Sequence, residues 1–244
     1  MEAENRIQDP PIFFAHRGGK ADAPENTLSA FMLALSNKAS GIESDARLTQ
    51  CGNVVLNHDR HFGSIFRRRQ IRKSNLTSLP AEILSLSGFF SKVKGDFHFS
   101  IDVKDSAATE KILEIARSYS FPLDKLWLCH PDIEKIAKWR SIDKEEVRLV
   151  NSTTLDQVKE GPEKRLSVLK EVGADAFNMH FSEWNEGLVS LCHRFQIRSF
   201  AWDAQKEEQI IRLLSIGVDG IYSDYVRRMS NSWENYKNYK SKPF

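Results

Sequence analysis

Cysteine is scarce in this chain. There are three in 244 residues, Cys51, Cys129 and Cys192, far apart and odd in number. No metal-ligand spacing joins them and no disulfide framework follows, so they read as small buried or half-buried thiols. Long apolar runs are missing too. Stretches such as Ala30 to Leu35 fall far short of the roughly 20 residues that a membrane span needs, and no transmembrane segment is expected. The acidic, polar start, Met1 to Arg6, has neither the basic region nor the apolar stretch of a signal peptide, so a soluble cytoplasmic protein is expected. Charge of one sign is not in excess: 35 Lys and Arg face 33 Asp and Glu, a net of +2. Without a global basic field, nucleic acid is not an expected partner. No GxGxxG follows a strand, which excludes the usual dinucleotide start. No repeat of 20–50 residues and no Gly/Ser- or Pro-rich linker is visible, which argues against a solenoid and against division of the chain.

What is present is an alternation of short apolar runs with segments of helical period. Ile12 to Ala15 reads as a first buried strand, broken by Gly18-Gly19. Leu28, Phe31, Met32 and Leu35 then repeat as one buried helical face, with Asn26 or Thr27 as N-cap. Further strands are expected over Gly41–Ala46, Asn53–Asn57, Phe97–Val103, Leu126–Cys129, Val147–Val150, Ala174–Met179, Ile197–Trp202 and Val218–Tyr222. Helices are expected over Leu79–Phe90 and around Ile112–Tyr119, Ile133–Ala137, Leu166–Val172, Leu188–Phe195 and Ile210–Leu214. The pattern is lost from Arg60 to Lys73, a basic loop holding Arg67-Arg68-Arg69. Strand and helix alternate about eight times, which favours parallel crossover units closed into a single α/β barrel over an open doubly wound sheet. The barrel is expected over residues 10–229, followed by a polar, aromatic tail over 230–244 that allows a short helix or partial disorder.

Chemistry collects at the carboxyl ends of strands in such folds. Side chains alternate across a strand, so Phe97, Phe99, Ile101 and Val103 suit the face under the helices. His98, Ser100, Asp102 and Lys104 then face the barrel interior. The same rule puts Glu43 and Asp45 on one face. Three inward carboxylates on neighbouring strands call for a cation. An oxygen-only donor set suits Mg²⁺ or Ca²⁺, sometimes Mn²⁺, rather than zinc. The alternative is that these acids form structural ion pairs with Arg17, Arg47 or Lys104. His16 and His58 sit at strand ends and suit general acid–base work. Arg17 and Lys104 would bring positive charge to an anionic substrate such as a phosphate.

Five motifs in order carry a resemblance: His16-Arg17-Gly18, Pro24-Glu25-Asn26-Thr27, Glu43-x-Asp45, His58-Asp59, and Gly217-Val218-Asp219-Gly220-Ile221-x-Ser223-Asp224. Together they resemble the glycerophosphodiester phosphodiesterase family over nearly the whole chain. The resemblance implies a TIM (β/α)8 barrel and one divalent cation. It also implies hydrolysis of glycerophosphodiesters, small-molecule substrates, to glycerol 3-phosphate and an alcohol. By the same resemblance His16 and His58 are the acid–base pair, Glu43, Asp45 and Asp102 the metal ligands, and Arg17 and Lys104 the phosphate contacts. Trp202 resembles the family's aromatic wall beside the glycerol. The chain departs from the family in three places. Asp102 stands where Glu is usual, Cys51-Gly52 replaces Asp-Gly, and the Arg60–Lys73 loop leaves little room for the small inserted domain of many relatives. Two rival readings follow: a related phospholipase-type barrel acting on a lysophospholipid or sphingolipid, and a barrel that binds phosphodiesters without turning them over.

Overall fold

The computed structural model of the chain describes residues 7–64, 67–143 and 146–240. Among these described residues eleven strands are formed: β1 (Ile12–Ala15), β2 (Gly41–Leu48), β3 (Val54–Leu56), β4 (His61–Phe62), β5 (Arg69–Gln70), β6 (His98–Val103), β7 (Leu126–His130), β8 (Arg148–Ser152), β9 (Ala176–His180), β10 (Arg198–Trp202) and β11 (Gly220–Ser223). Eight helices accompany them: α1 (Leu28–Ser36), α2 (Leu86–Lys92), α3 (Thr109–Ser118), α4 (Ile133–Ile142), α5 (Pro162–Glu171), α6 (Glu186–Arg194), α7 (Glu207–Ser215) and α8 (Val226–Lys240). The strands β1, β2 and β6 to β11 pair in parallel, and β1 bonds to both β11 and β2. The sheet is therefore a closed eight-stranded barrel with helices between its strands, the TIM-barrel architecture. The strand β3 folds back antiparallel on β2. The hairpin β4–β5 takes up part of the Arg60–Lys73 loop, of which residues 65 and 66 lie outside the described residues. So do Met1 to Arg6 and the last four residues of the expected tail.

Strand alternation sorts the apolar residues into two layers. Phe97, Phe99, Ile101 and Val103 join the large outer core beneath the helices, as the odd–even pattern predicts. Ile12, Phe14, Trp127, Cys129, Phe200 and Tyr222 belong to a separate inner layer that fills the barrel. Rings of this size need small neighbours. A Cβ on Gly41 would come within 2.5 Å of Phe14, and one on Gly220 within 2.6 Å of Phe200. Fully burying each such ring contributes about 1.5–3 kcal/mol.

Three expectations are corrected. The helix expected from Leu79 begins only at Leu86, because Ser85 caps it by accepting from Gly88 N, and because Leu84 O accepts from Leu56 N, tying the preceding residues to β3. Met32 is 55% exposed rather than buried, since Ala30, Phe31 and Ala34 form the inner face of α1. Cys51 is exposed in the turn between β2 and β3, while Cys129 and Cys192 are buried. Of the two N-cap candidates, Thr27 caps α1 and Asn26 does other work.

Candidate active site

The carboxyl ends of the barrel strands enclose a cavity of about 410 Å³. His16, Arg17, Glu43, Asp102, Trp202 and Asp203 are among the residues that line it. Its floor is polar: Ser100 Oγ lies 3.2 Å from Cys129 Sγ and 3.1 Å from Tyr222 Oη. Burial pushes the Cys129 thiol well above its usual range, so it is no nucleophile.

The segment after β1 is shaped for this role. Arg17 holds a left-handed conformation, φ 50°, and Gly18 and Gly19 follow at φ 82°. The turn directs Arg17 N to Glu43 Oε2 at 2.8 Å. A non-glycine residue in that region is strained, and strain of this kind persists where surrounding contacts impose it. His16 Nδ1 lies 2.7 Å from Asp224 Oδ1, at the end of β11, and its Nε2 is 3.9 Å from Glu43 Oε2. Burial works against the imidazolium, but the charges of Glu43 and Asp224 outweigh it and raise the His16 pKa. The carboxyl of Glu43 is buried, opposed in part by His16 and reinforced by Asp45, and its pKa is pushed up to about 7.

Asp45 and Asp102 stand opposite each other across β2 and β6. The ammonium of Lys104 joins them, 3.1 Å from Asp45 Oδ1 and 2.5 Å from Asp102 Oδ2. Arg17 Nε is 3.5 Å from Asp45 Oδ2, and its Nη1 donates to Glu25 at 3.0 Å. The ion pairs anticipated for Arg17 and Lys104 are thus present. Arg47 instead donates from Nε and Nη2 to the backbone carbonyl of His58. That contact and Asn57 N to Asp45 O hold the His58 segment against β2. The His58 ring itself is not part of the cavity lining; it lies 3.0 Å from Asp59 Oδ1. Among the described residues no three acidic, histidine or cysteine side chains converge as a formed metal centre.

The positioning roles of two residues, Asn26 and Asp224, were not read from the sequence, although both lie in quoted motifs. Asn26 donates from Nδ2 to Asp45 Oδ2 at 3.2 Å and accepts from Ser44 Oγ at 2.6 Å. Asp224 orients His16. On the far wall, His180 meets the Trp202 ring edge-on at 4.7 Å and lies 3.4 Å from Asp203.

A family model, the glycerophosphoryl diester phosphodiesterase family, matches residues 16–228. The chain belongs to that family. By membership it is an enzyme, a phosphoric diester hydrolase. A glycerophosphodiester phosphodiesterase of Bacillus altitudinis is 28% identical, with 88% of this chain and 95% of that protein covered. The crystal structure of a putative glycerophosphoryl diester phosphodiesterase from Silicibacter pomeroyi superposes with a TM-score of 0.83 at 18% identity, covering 94% of this chain and 95% of that one. An Oleispira antarctica phosphodiesterase, solved with the product sn-glycerol-3-phosphate, gives a TM-score of 0.80 at 19% identity, over 92% and 97%. No helix among the described residues is long and apolar enough to cross a membrane.

Proposed function

We propose that the chain hydrolyses glycerophosphodiesters to glycerol 3-phosphate and an alcohol, with one divalent cation held by Glu43, Asp45 and Asp102. The observation that carries this reading is a cavity lined by Glu43, Asp102, His16 and Arg17, with Asp45 paired opposite Asp102 across β2 and β6. The donor set fits a hard cation, because all three donors are oxygen, and Glu43, whose pKa is raised first by burial and then by the charge of Asp45, is a carboxylate that a cation would stabilise in its charged form. Mg²⁺ or Ca²⁺ suits it, with Mn²⁺ a third candidate. Such a cation, when bound, supplies charge neutralisation at a phosphoryl oxygen.

The protein's own groups do the rest. Arg17 and Lys104 bind the phosphate, and Trp202 packs beside the glycerol. His16 and His58 divide the proton transfers. The charges that favour imidazolium at His16 suit it to protonate the leaving alkoxide, which leaves His58 to deprotonate the nucleophile. Replacing either histidine by alanine should lower kcat by about 10²–10⁴.

The deciding assay is glycerol 3-phosphate release from glycerophosphocholine and glycerophosphoethanolamine. It is run with Mg²⁺, Ca²⁺ or Mn²⁺, with EDTA, and with Asp102→Ala. Metal-dependent release, lost with EDTA and in the variant, supports the reading; no release with any cation removes it. The Lys104–Asp102 contact favours one alternative, a barrel that binds phosphodiesters without turnover. Substrate binding that persists while release stays absent would select it.

A further inference from the structure

A second cavity lies beside the first, and the reaction as described leaves it unused. It measures about 290 Å³ and sits beyond the carboxyl ends of the neighbouring strands β2 and β6, beside the β4–β5 hairpin. Its lining includes Lys104, which is held by Asp45 and Asp102, and brings Arg47, Arg60 and Arg72 against a single carboxylate, Asp105. That carboxylate is already engaged. Its Oδ2 accepts from Leu48 N at 3.0 Å, and its Oδ1 lies 3.5 Å from Arg72. Arg47 meets a neutral partner, the His58 carbonyl. Arg60 pairs with no carboxylate among the described residues. Like charges gathered this closely repel one another, and an incoming anion relieves them.

The two cavities share a wall. Lys104 lines the second, Asp102 lines the first, and the two side chains are 2.5 Å apart. The strand order adds a direction. In the closed ring of eight, β10 stands opposite β6. Trp202 at the end of β10 and the arginine cavity beyond β6 therefore flank the carboxylates from opposite sides. With the glycerol against Trp202 and the phosphate at the carboxylates, the alcohol half of a diester points toward the arginines.

We propose that this cavity is an anion subsite for the leaving alcohol. The enzyme then prefers glycerophosphodiesters whose alcohol carries a carboxylate or a phosphate monoester over those with a cationic headgroup such as choline. Guanidinium groups suit both anions through paired hydrogen bonds. The inference rests on the phosphodiesterase reading above, whose failure the test keeps separate.

Two substrate pairs isolate the extra anion. Glycerophosphoserine differs from glycerophosphoethanolamine by one carboxylate, and glycerophosphoinositol 4-phosphate from glycerophosphoinositol by one phosphate. The expected result is a kcat/KM about tenfold or more higher for the anionic member of each pair. That advantage should vanish in Arg60→Ala/Arg72→Ala, with turnover of glycerophosphocholine unchanged. Both arginines are exposed, so the variant should keep the wild-type melting temperature. Equal kcat/KM within both pairs, or an advantage that survives the double variant, overturns the proposal while leaving the hydrolase reading intact. If no substrate is turned over, equilibrium binding of glycerophosphoinositol 4-phosphate and of glycerophosphoinositol decides. Tighter binding of the 4-phosphate, lost in the double variant, supports the subsite; equal binding overturns it. Arginine-dependent adsorption to anionic phosphatidylglycerol vesicles without discrimination among these soluble diesters would also overturn it, in favour of surface docking.

Discussion

Asp224 Oδ1 lies 2.7 Å from His16 Nδ1, joining the end of the last strand to the residue that follows the first. The contact fixes which face of the imidazole meets the cavity. It also stabilises the protonated ring, since the pKa of Asp224, despite burial, is lowered by the bond from His16. Asp224→Asn keeps the shape but removes the charge. If His16 is the general acid, losing Asp224 lowers its pKa, and the alkaline limb of the kcat profile moves to lower pH. A fall in kcat of about 10–100-fold with little change in KM is expected. A pH–rate profile on the variant checks this. An unmoved alkaline limb would show that Asp224 only braces the fold.

The barrel was legible because period-2 and period-3.6 patterns alternate with little interruption, and because a parallel sheet buries whole strands. The odd–even pattern on β6 was enough to separate Phe99 and Ile101 from Ser100 and Asp102. The false start of α2 at Leu79 has a tertiary cause. Propensity favours helix there, but the backbone bond from Leu56 to Leu84 holds the chain extended until Ser85 can cap. Part of the cavity lining, His16, Arg17, Glu43, Asp102 and Trp202, was among the residues singled out from the sequence, but the contacts among them were not legible. No local pattern indicates that Asn26 would leave the capping role to Thr27 and orient Asp45 instead. Nor could spacing show that Arg47 would hold the His58 backbone rather than an acid.

If a divalent cation is held as proposed, Lys104 competes with it for the same oxygens. The ammonium sits between Asp45 and Asp102, whose charges outweigh burial and raise its pKa. Lys104→Met should therefore tighten Ca²⁺ binding by about tenfold or more, since a unit charge a few ångströms away opposes the ion. Turnover should fall about 10²-fold if Lys104 is the proposed phosphate contact. Calorimetric titration of Ca²⁺ into both proteins tests the first half. Unchanged affinity would place the cation away from these two carboxylates.

His98 gives the fold a dependence on acid. Trp127 Nε1 donates to His98 Nδ1 at 3.1 Å, which requires that nitrogen to be unprotonated. Burial, helped by the charge of Lys125, lowers the His98 pKa to about 4. The unfolded chain takes up this proton near the ordinary value of 6.5. Between pH 6.5 and about 4 the unfolded state thus holds more protons, and the contribution of His98 to stability is lost as pH falls through that window. His98→Gln can still accept from Trp127 and does not titrate. Urea midpoints at pH 7 and pH 5 should differ less for the variant than for the wild type. Parallel changes in both proteins would rule His98 out as the source.

Asp219 is a clamp at the opposite end of the barrel from the candidate active site. It is fully buried, just before β11. Its Oδ1 accepts from Ile7 N and Gln8 N at 2.9 and 3.0 Å. Its Oδ2 accepts from Ser199 N and Ser199 Oγ and lies 2.7 Å from His193 Nε2. One carboxylate thus ties the N-terminal segment, β10 and α6 together beneath β11. Asp219→Ala strands several donors in a dry site and should cost about 3–5 kcal/mol. At roughly 2–4 °C per kcal/mol for a chain of this size, the melting temperature should drop by about 6–20 °C. Asp219→Asn keeps an acceptor for Ile7 and Gln8 and should lose less. Below the transition, kcat in both variants should match the wild type, because nothing in this network touches the catalytic cavity. A large loss of kcat with an unchanged melting temperature would reverse that assignment and place Asp219 in the machinery of the reaction.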